Sequence, residues 1–174
     1  MKKLLASLVA VFALLPAQAA SADILNLSAG VFPQDQFSAL SSTGDPFAVG
    51  GGTDAIERHF AFSAHCKDAS GECPDSGTAP SGYAVVSDPV LGEAQGHVCE
   101  ARIFPPAAVF WIEVEKGSGT LGSSPVVGFV VEDNGNPGDG GLPDALLVGA
   151  ATQCAGGFAG VSTTVTQGNI VVKN

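Results

Sequence analysis

The stretch Ala107–Asn136, AAVFWIEVEKGSGTLGSSPVVGFVVEDNGN, decides how the rest of the chain is read. From Ala107 to Glu115 the period is two: Phe110, Ile112 and Val114 fall on one face, Glu113 and Glu115 on the other. In Val126–Asp133 the residues Val127, Phe129 and Val131 share a face. Successive side chains of a strand point to opposite sides, so each run buries one face and wets the other. Lys116–Pro125, KGSGTLGSSP, has the composition of a turn, with Pro125 placed where a strand begins because it donates no ladder hydrogen bond. The expected unit is an antiparallel hairpin with a long loop, followed by an acidic, glycine-rich loop.

Outward from this hairpin the alternation recurs. In Arg58–Cys66 (RHFAFSAHC), Phe60, Phe62, Ala64 and Cys66 share a face, with His59, Ala61, Ser63 and His65 opposite. In Gly96–Phe104 (GHVCEARIF), His97, Cys99, Ala101 and Ile103 form one face, and Val98, Glu100, Arg102 and Phe104 the other. Further strands are expected at Ile24–Leu27, Phe47–Val49, Gly82–Ser87, Ala145–Ala151, Val161–Thr166 and Gly168–Lys173. Gly50-Gly51-Gly52 reads as a breaker, and residues 67–81 as a polar loop. About eight short strands with turn signals roughly every ten residues, and no amphipathic helix, define an all-β fold. The expected architecture is a single-domain antiparallel β-sandwich or closed β-barrel over residues 20–174.

Residues 1–19 read as a cleaved signal peptide. Lys2 and Lys3 precede the apolar run Leu4–Leu15, which is too short to span a bilayer, and Ala17-Gln18-Ala19 is a small-x-small cleavage site. With no second long apolar run and no C-terminal sorting tail, the expectation is a soluble chain secreted to the periplasm or medium, with no membrane span. Losing Lys2 and Lys3 takes the basic residues from seven to five against seventeen acids, a net charge of −12. A chain so acidic is repelled by phosphate backbones, which argues against nucleic acid as a partner and favours solubility.

The four cysteines, Cys66, Cys73, Cys99 and Cys154, are an even number in an exported chain and point to two disulfides. Three connectivities exist. The favoured one pairs Cys66 with Cys73 around a short polar loop and uses Cys99–Cys154 as the long-range bridge. No CxxC spacing supports zinc.

Several pieces in order resemble a family of small exported bacterial β domains, the post-COAP-1 type. They are the glycines at 50–52, HFAFSAHC, GHVC at 96–99, the FWIEVEKGSGT strand and turn, the VVEDNGNPGDG loop and the terminal GNIVV, together spanning roughly residues 47–173. The resemblance implies a compact all-β extracellular domain and no established chemistry. The chain departs from the pattern between His65 and Gly82 and around Ala150–Gly160, and both departures carry cysteine.

Three constellations are candidates for chemistry. The 133–144 loop offers oxygens from Asp133, Asn134, Asn136, Asp139 and Asp144 on a backbone that glycine bends, a donor set suited to Ca²⁺. The order is not that of an EF-hand, and turn capping by Asp and Asn is the competing explanation. His59 and His65 share a strand face but lie roughly 20 Å apart at about 3.3 Å per residue, and His97 joins them only if the two strands pair. Glu113 and Glu115, roughly 6.6 Å apart along a strand, approach the spacing of a glycosidase pair, with Trp111 on the same face as a sugar platform. No G-x-S-x-G elbow exists. The leading expectation is a non-enzymatic exported β domain with a structural or interaction role toward a protein or surface partner, with Ca²⁺ as the one candidate cofactor. The alternative is a small secreted glycan hydrolase using Glu113 and Glu115.

Overall fold

The computed structural model describes residues 45–67, 72–73, 79–135 and 141–173. The expected leader and the strand signal at Ile24–Leu27 lie outside the described residues. Nine strands and one helical turn follow in order: β1 (Phe47–Asp54), β2 (His59–His65), β3 (Glu72–Cys73), β4 (Ser81–Asp88), β5 (Gly92–Phe104), β6 (Ala107–Ser118), α1 (Gly119–Ser123), β7 (Val126–Glu132), β8 (Ala145–Ala151) and β9 (Val161–Lys173).

Eight of these strands close on themselves. The order β5-β4-β2-β1-β9-β8-β7-β6 returns to β5 through the β5–β6 pairing, and every neighbour is antiparallel. The two-residue β3 lies against the C-terminal half of β5. The chain is therefore an up-and-down closed barrel, with β9 against β1 sealing the circle. Of the two architectures the alternation allows, the structure selects the barrel.

Eight strands leave a bore just wide enough for side chains to fill it. Phe62 packs on Phe110 at 5.1 Å between ring centroids, and Phe110 stacks on Phe129 at 4.8 Å. Around them lie Phe60, Val86, Ile103, Ile112, Val127, Val131, Leu146, Val148 and Ile170, all buried. Each such side chain contributes about 1.5–3 kcal/mol of burial. The inward sets Phe110/Ile112, Val127/Phe129/Val131 and Phe60/Phe62/Ala64 are those of the period-two alternation.

Four expectations are corrected. Gly50-Gly51-Gly52 does not break the chain; it lies inside β1. Gly50 pairs with Phe62 and faces the bore, and a Cβ there would sit 2.7 Å from the Phe62 ring, so glycine makes room for the aromatic core. The loop expected at Lys116–Pro125 begins later, because β6 runs to Ser118 and Gly119–Ser123 forms one helical turn whose Leu121 enters the core. Val161–Thr166 and Gly168–Lys173 are one strand rather than two.

The fourth correction concerns β5. The register with β6 shifts between Val98 and Glu100, so Cys99 is an extra residue and the alternation changes phase there. Ala94, Val98, Ala101 and Ile103 all join the core, while His97 is exposed. Strict alternation places His97 with Ala101 and Ile103. The bulge puts them on opposite sides.

Candidate functional site

Asp133 and Asp144, at the two described ends of the acidic loop, turn their carboxylates onto backbone amides. β8 pairs with β9 only from Val161 to Thr164. Beyond that, Asp144 Oδ2 accepts the Ile170 N–H at 2.7 Å and Asp133 Oδ2 accepts the Val172 N–H at 3.1 Å. Their other oxygens accept the amides of Asn134 (3.0 Å, to Asp144) and Gly135 (3.0 Å, to Asp133). Asn134 Nδ2 donates to the Pro143 carbonyl at 3.0 Å. Two aspartates thus stand in for a missing strand along β9, in charge-assisted bonds that are stronger than neutral ones. Asn136 and Asp139 lie outside the described residues. Among the described residues no group of three or more His, Cys, Asp or Glu side chains is placed to hold a metal ion.

The histidines stand apart, each with its own neighbour. β4 lies between β2 and β5, so the strands of His65 and His97 do not pair. His59 Nδ1 is 3.0 Å from Thr53 Oγ1. His65 stacks on Phe47. His97 meets Tyr83 edge-on and has Glu115 Oε1 at 3.5 Å from Nε2.

Trp111 is no sugar platform. Its face of β6 is covered by the segment 152–160, which crosses the outside of the barrel. Phe158 meets Trp111 edge-to-face at 6.0 Å, and Trp111 Nε1 donates to the Gly156 carbonyl at 2.9 Å. Phe158 rests where β7 and β8 carry glycine: a Cβ on Gly128 would lie 2.2 Å from the ring, and one on Gly149 would lie 2.2 Å from the Ala159 carbonyl. The Cys99–Cys154 disulfide ties this strap to the β5 bulge, and Cys66–Cys73 forms the second bridge. This is the favoured pairing of the three. Two formed disulfides fit a non-cytoplasmic, oxidising environment. Among the described residues no helix is long and apolar enough to cross a membrane. Glu113 and Glu115 remain exposed and line neither cleft described below.

One end of the barrel holds a buried ion cluster that patterning did not single out. Arg58, 1 % exposed, donates from Nε to Asp54 Oδ2 at 2.8 Å, and Asp88 Oδ2 lies 3.8 Å away. Arg58 Nη2 donates to Thr163 Oγ1 and the Val161 carbonyl, so one guanidinium joins β1, β4 and β9. Asp54 Oδ1 also caps the turn at the amides of Ile56 and Arg58, and Asp88 Oδ1 caps Val90 and Leu91. The sequence holds one hint: Arg58 is one of two arginines in the chain, at the head of an apolar strand.

Beside this end, on the outer wall, lies a cleft of about 620 Å³ lined by Thr53, Asp54, Glu57, His59, Ser87 and Gln167 among others. Glu57 adopts φ 63° at the β1–β2 turn, a left-handed conformation that costs a side-chain-bearing residue about 1–2 kcal/mol. A smaller cleft of about 240 Å³ shares Ser87 and continues over Val85, Glu93, Gln95 and Lys116. Ser87 Oγ donates to Glu93 Oε1 at 3.2 Å.

No family model matches the chain, and neither a curated protein nor a solved structure matches it.

Proposed function

We propose that this chain is an exported β-barrel module that works by binding, without catalysis, to a partner at the cell surface or in the medium. One observation carries the reading. The bore is filled by Phe60, Phe62, Phe110 and Phe129, whereas a roomy polar cleft opens on the outer wall. A ligand therefore meets the barrel from outside. The leader-like first nineteen residues and the two disulfides support export. The resemblance to the post-COAP-1 type implies an all-β domain and attaches no chemistry to it, which leaves the binding reading to rest on the cleft.

The test has two arms. Mass spectrometry of the chain recovered outside the cytoplasm should show a mature N-terminus near Ala20; an intact leader on cytoplasmic material refutes export. Purified protein incubated with glycans should release no reducing ends. Release that disappears in Glu113→Gln with Glu115→Gln makes the chain the hydrolase instead.

A further inference from the structure

Between Ala151, the last residue of β8, and Val161, the first of β9, the strap crosses the outer wall, and none of its residues joins the core inside the barrel. It covers a separate apolar face of Val109, Trp111 and Val126, which its own Cys154 and Phe158 complete. The strap is tied there by the Cys99–Cys154 disulfide, by the Trp111 Nε1 bond to the Gly156 carbonyl at 2.9 Å, and by the Phe158 ring against Trp111. From this arrangement we infer that Cys99–Cys154 is a redox latch: a dithiol reductant that opens it frees the strap and uncovers the Trp111 face, while the barrel stays folded. The latch goes beyond the binding role proposed above and stands without it.

Three observations point to a latch. First, the two bridges differ in access. Cys66 and Cys73 are 0 % and 1 % exposed, whereas Cys99 and Cys154 are half-buried, and Cys154 stands between the exposed Gln153 and Ala155. Exchange needs an approach to a sulfur, so a reductant reaches this bridge first. Second, the backbone is strained beside it. Ala155 holds φ 59°, a left-handed conformation unfavourable to a residue with a Cβ, between the disulfide at Cys154 and the Trp111 bond at Gly156. Such a conformation persists while its neighbours enforce it, so loosening one tie favours release. Third, the opened wall stays satisfied. Cys99 Sγ lies 3.5 Å from the Trp111 carbonyl, to which a thiol can donate, and the ladders of β8 with β7 and with β9 involve no strap residue. Opening is a two-electron exchange. A thiolate of the reductant attacks Cys154 Sγ, the S–S bond breaks, and its electron pair leaves on Cys99 Sγ, which takes up a proton. The reductant's second thiolate attacks the mixed disulfide, freeing Cys154, which is protonated in turn, and leaving the reductant as a disulfide.

The experiment treats the oxidised mature chain with dithiothreitol and maps the freed thiols by alkylation and mass spectrometry. Cys99 and Cys154 should be released about tenfold faster than Cys66 and Cys73, because access sets the rate of exchange. In the two-thiol form the far-ultraviolet strand signal should remain. The emission of Trp111, the one tryptophan in the chain, should move to the red and be quenched more strongly by acrylamide, and reoxidation should restore both. Cys99→Ser combined with Cys154→Ser should show the released fluorescence without reductant, and dithiothreitol should shift it no further. The titration uses the parent chain, so it decides even if that variant is lost in folding. Release of all four thiols together, loss of the strand signal when the first bridge opens, or a two-thiol form whose Trp111 stays as shielded as before would each overturn the inference and make the bridge a fixed brace.

Discussion

Gly128→Ala tests how the outer strap is held. The added Cβ would lie 2.2, 2.3 and 2.6 Å from three carbons of the Phe158 ring, where ordinary contact begins at about 3.4 Å. The ring must move by more than an ångström. It then loses its edge-to-face contact with Trp111, about 0.5–1.5 kcal/mol, and the burial of a half-covered phenylalanine, about 1–1.5 kcal/mol. Gly128→Ala should therefore destabilise the barrel by about 1.5–3 kcal/mol. In a Phe158→Ala background the same change meets no ring and should cost nothing, or gain a few tenths, since alanine suits a strand interior better than glycine. The coupling between the two sites is thus about 2 kcal/mol. Urea unfolding followed by tryptophan fluorescence measures it, and the signal is clean because Trp111 is the one tryptophan in the chain. Gly128→Ala should also move the native emission to the red as the strap lifts. Equal costs in both backgrounds would refute the picture of a ring seated on a glycine floor.

The remaining predictions concern the seams of the barrel. Replacing Cys99 and Cys154 by Ser should cost about 4 kcal/mol and replacing Cys66 and Cys73 about 2 kcal/mol, because the loops they close differ, 55 residues against 7; chemical denaturation that reverses this order contradicts the assignment. Asp144→Ala strands the amides of Ile170 and Asn134 and should destabilise by about 2–4 kcal/mol, with hydrogen exchange accelerating first at Ile170. A melt in Ca²⁺ against EDTA should not shift, since Asp133 and Asp144 already serve as caps; a gain of about 2.7 kcal/mol at 100 times Kd would instead place an ion in the loop. Arg58→Ala leaves Asp54 buried without its cation and should cost about 3–5 kcal/mol, while a loss below about 0.5 kcal/mol would mean that water enters the cluster.

Much of the wall was legible without coordinates. The alternation at Phe60-x-Phe62, Phe110-x-Ile112 and Val127-x-Phe129-x-Val131 names the inward residues, because the strand period of two is a property of each local run. The favoured pairing of the four cysteines also stands in the structure. What escaped depends on partners distant in sequence. Cys99 becomes a bulge only through its register with β6, and that bulge reverses the face of His97. Gly50 and Gly128 read as flexible residues until Phe62 and Phe158 are seen lying against them. Trp111 reads as an exposed platform until the strap folds over it. The larger cleft has no linear signature, since Thr53, His59, Ser87 and Gln167 are adjacent only once four strands are in register.

By itself the sequence determined an all-β chain, the inward residues of the runs that keep a strict period of two, and an aspartate-rich loop rich in side-chain oxygens. The tertiary structure alone decided that the sheet closes into a barrel, that Asp133 and Asp144 satisfy β9, and that Arg58 joins three strands. The physical reason is one of range. Side-chain alternation is set residue by residue along the backbone, whereas closure, register and the pairing of buried charge are set by which strand arrives beside which.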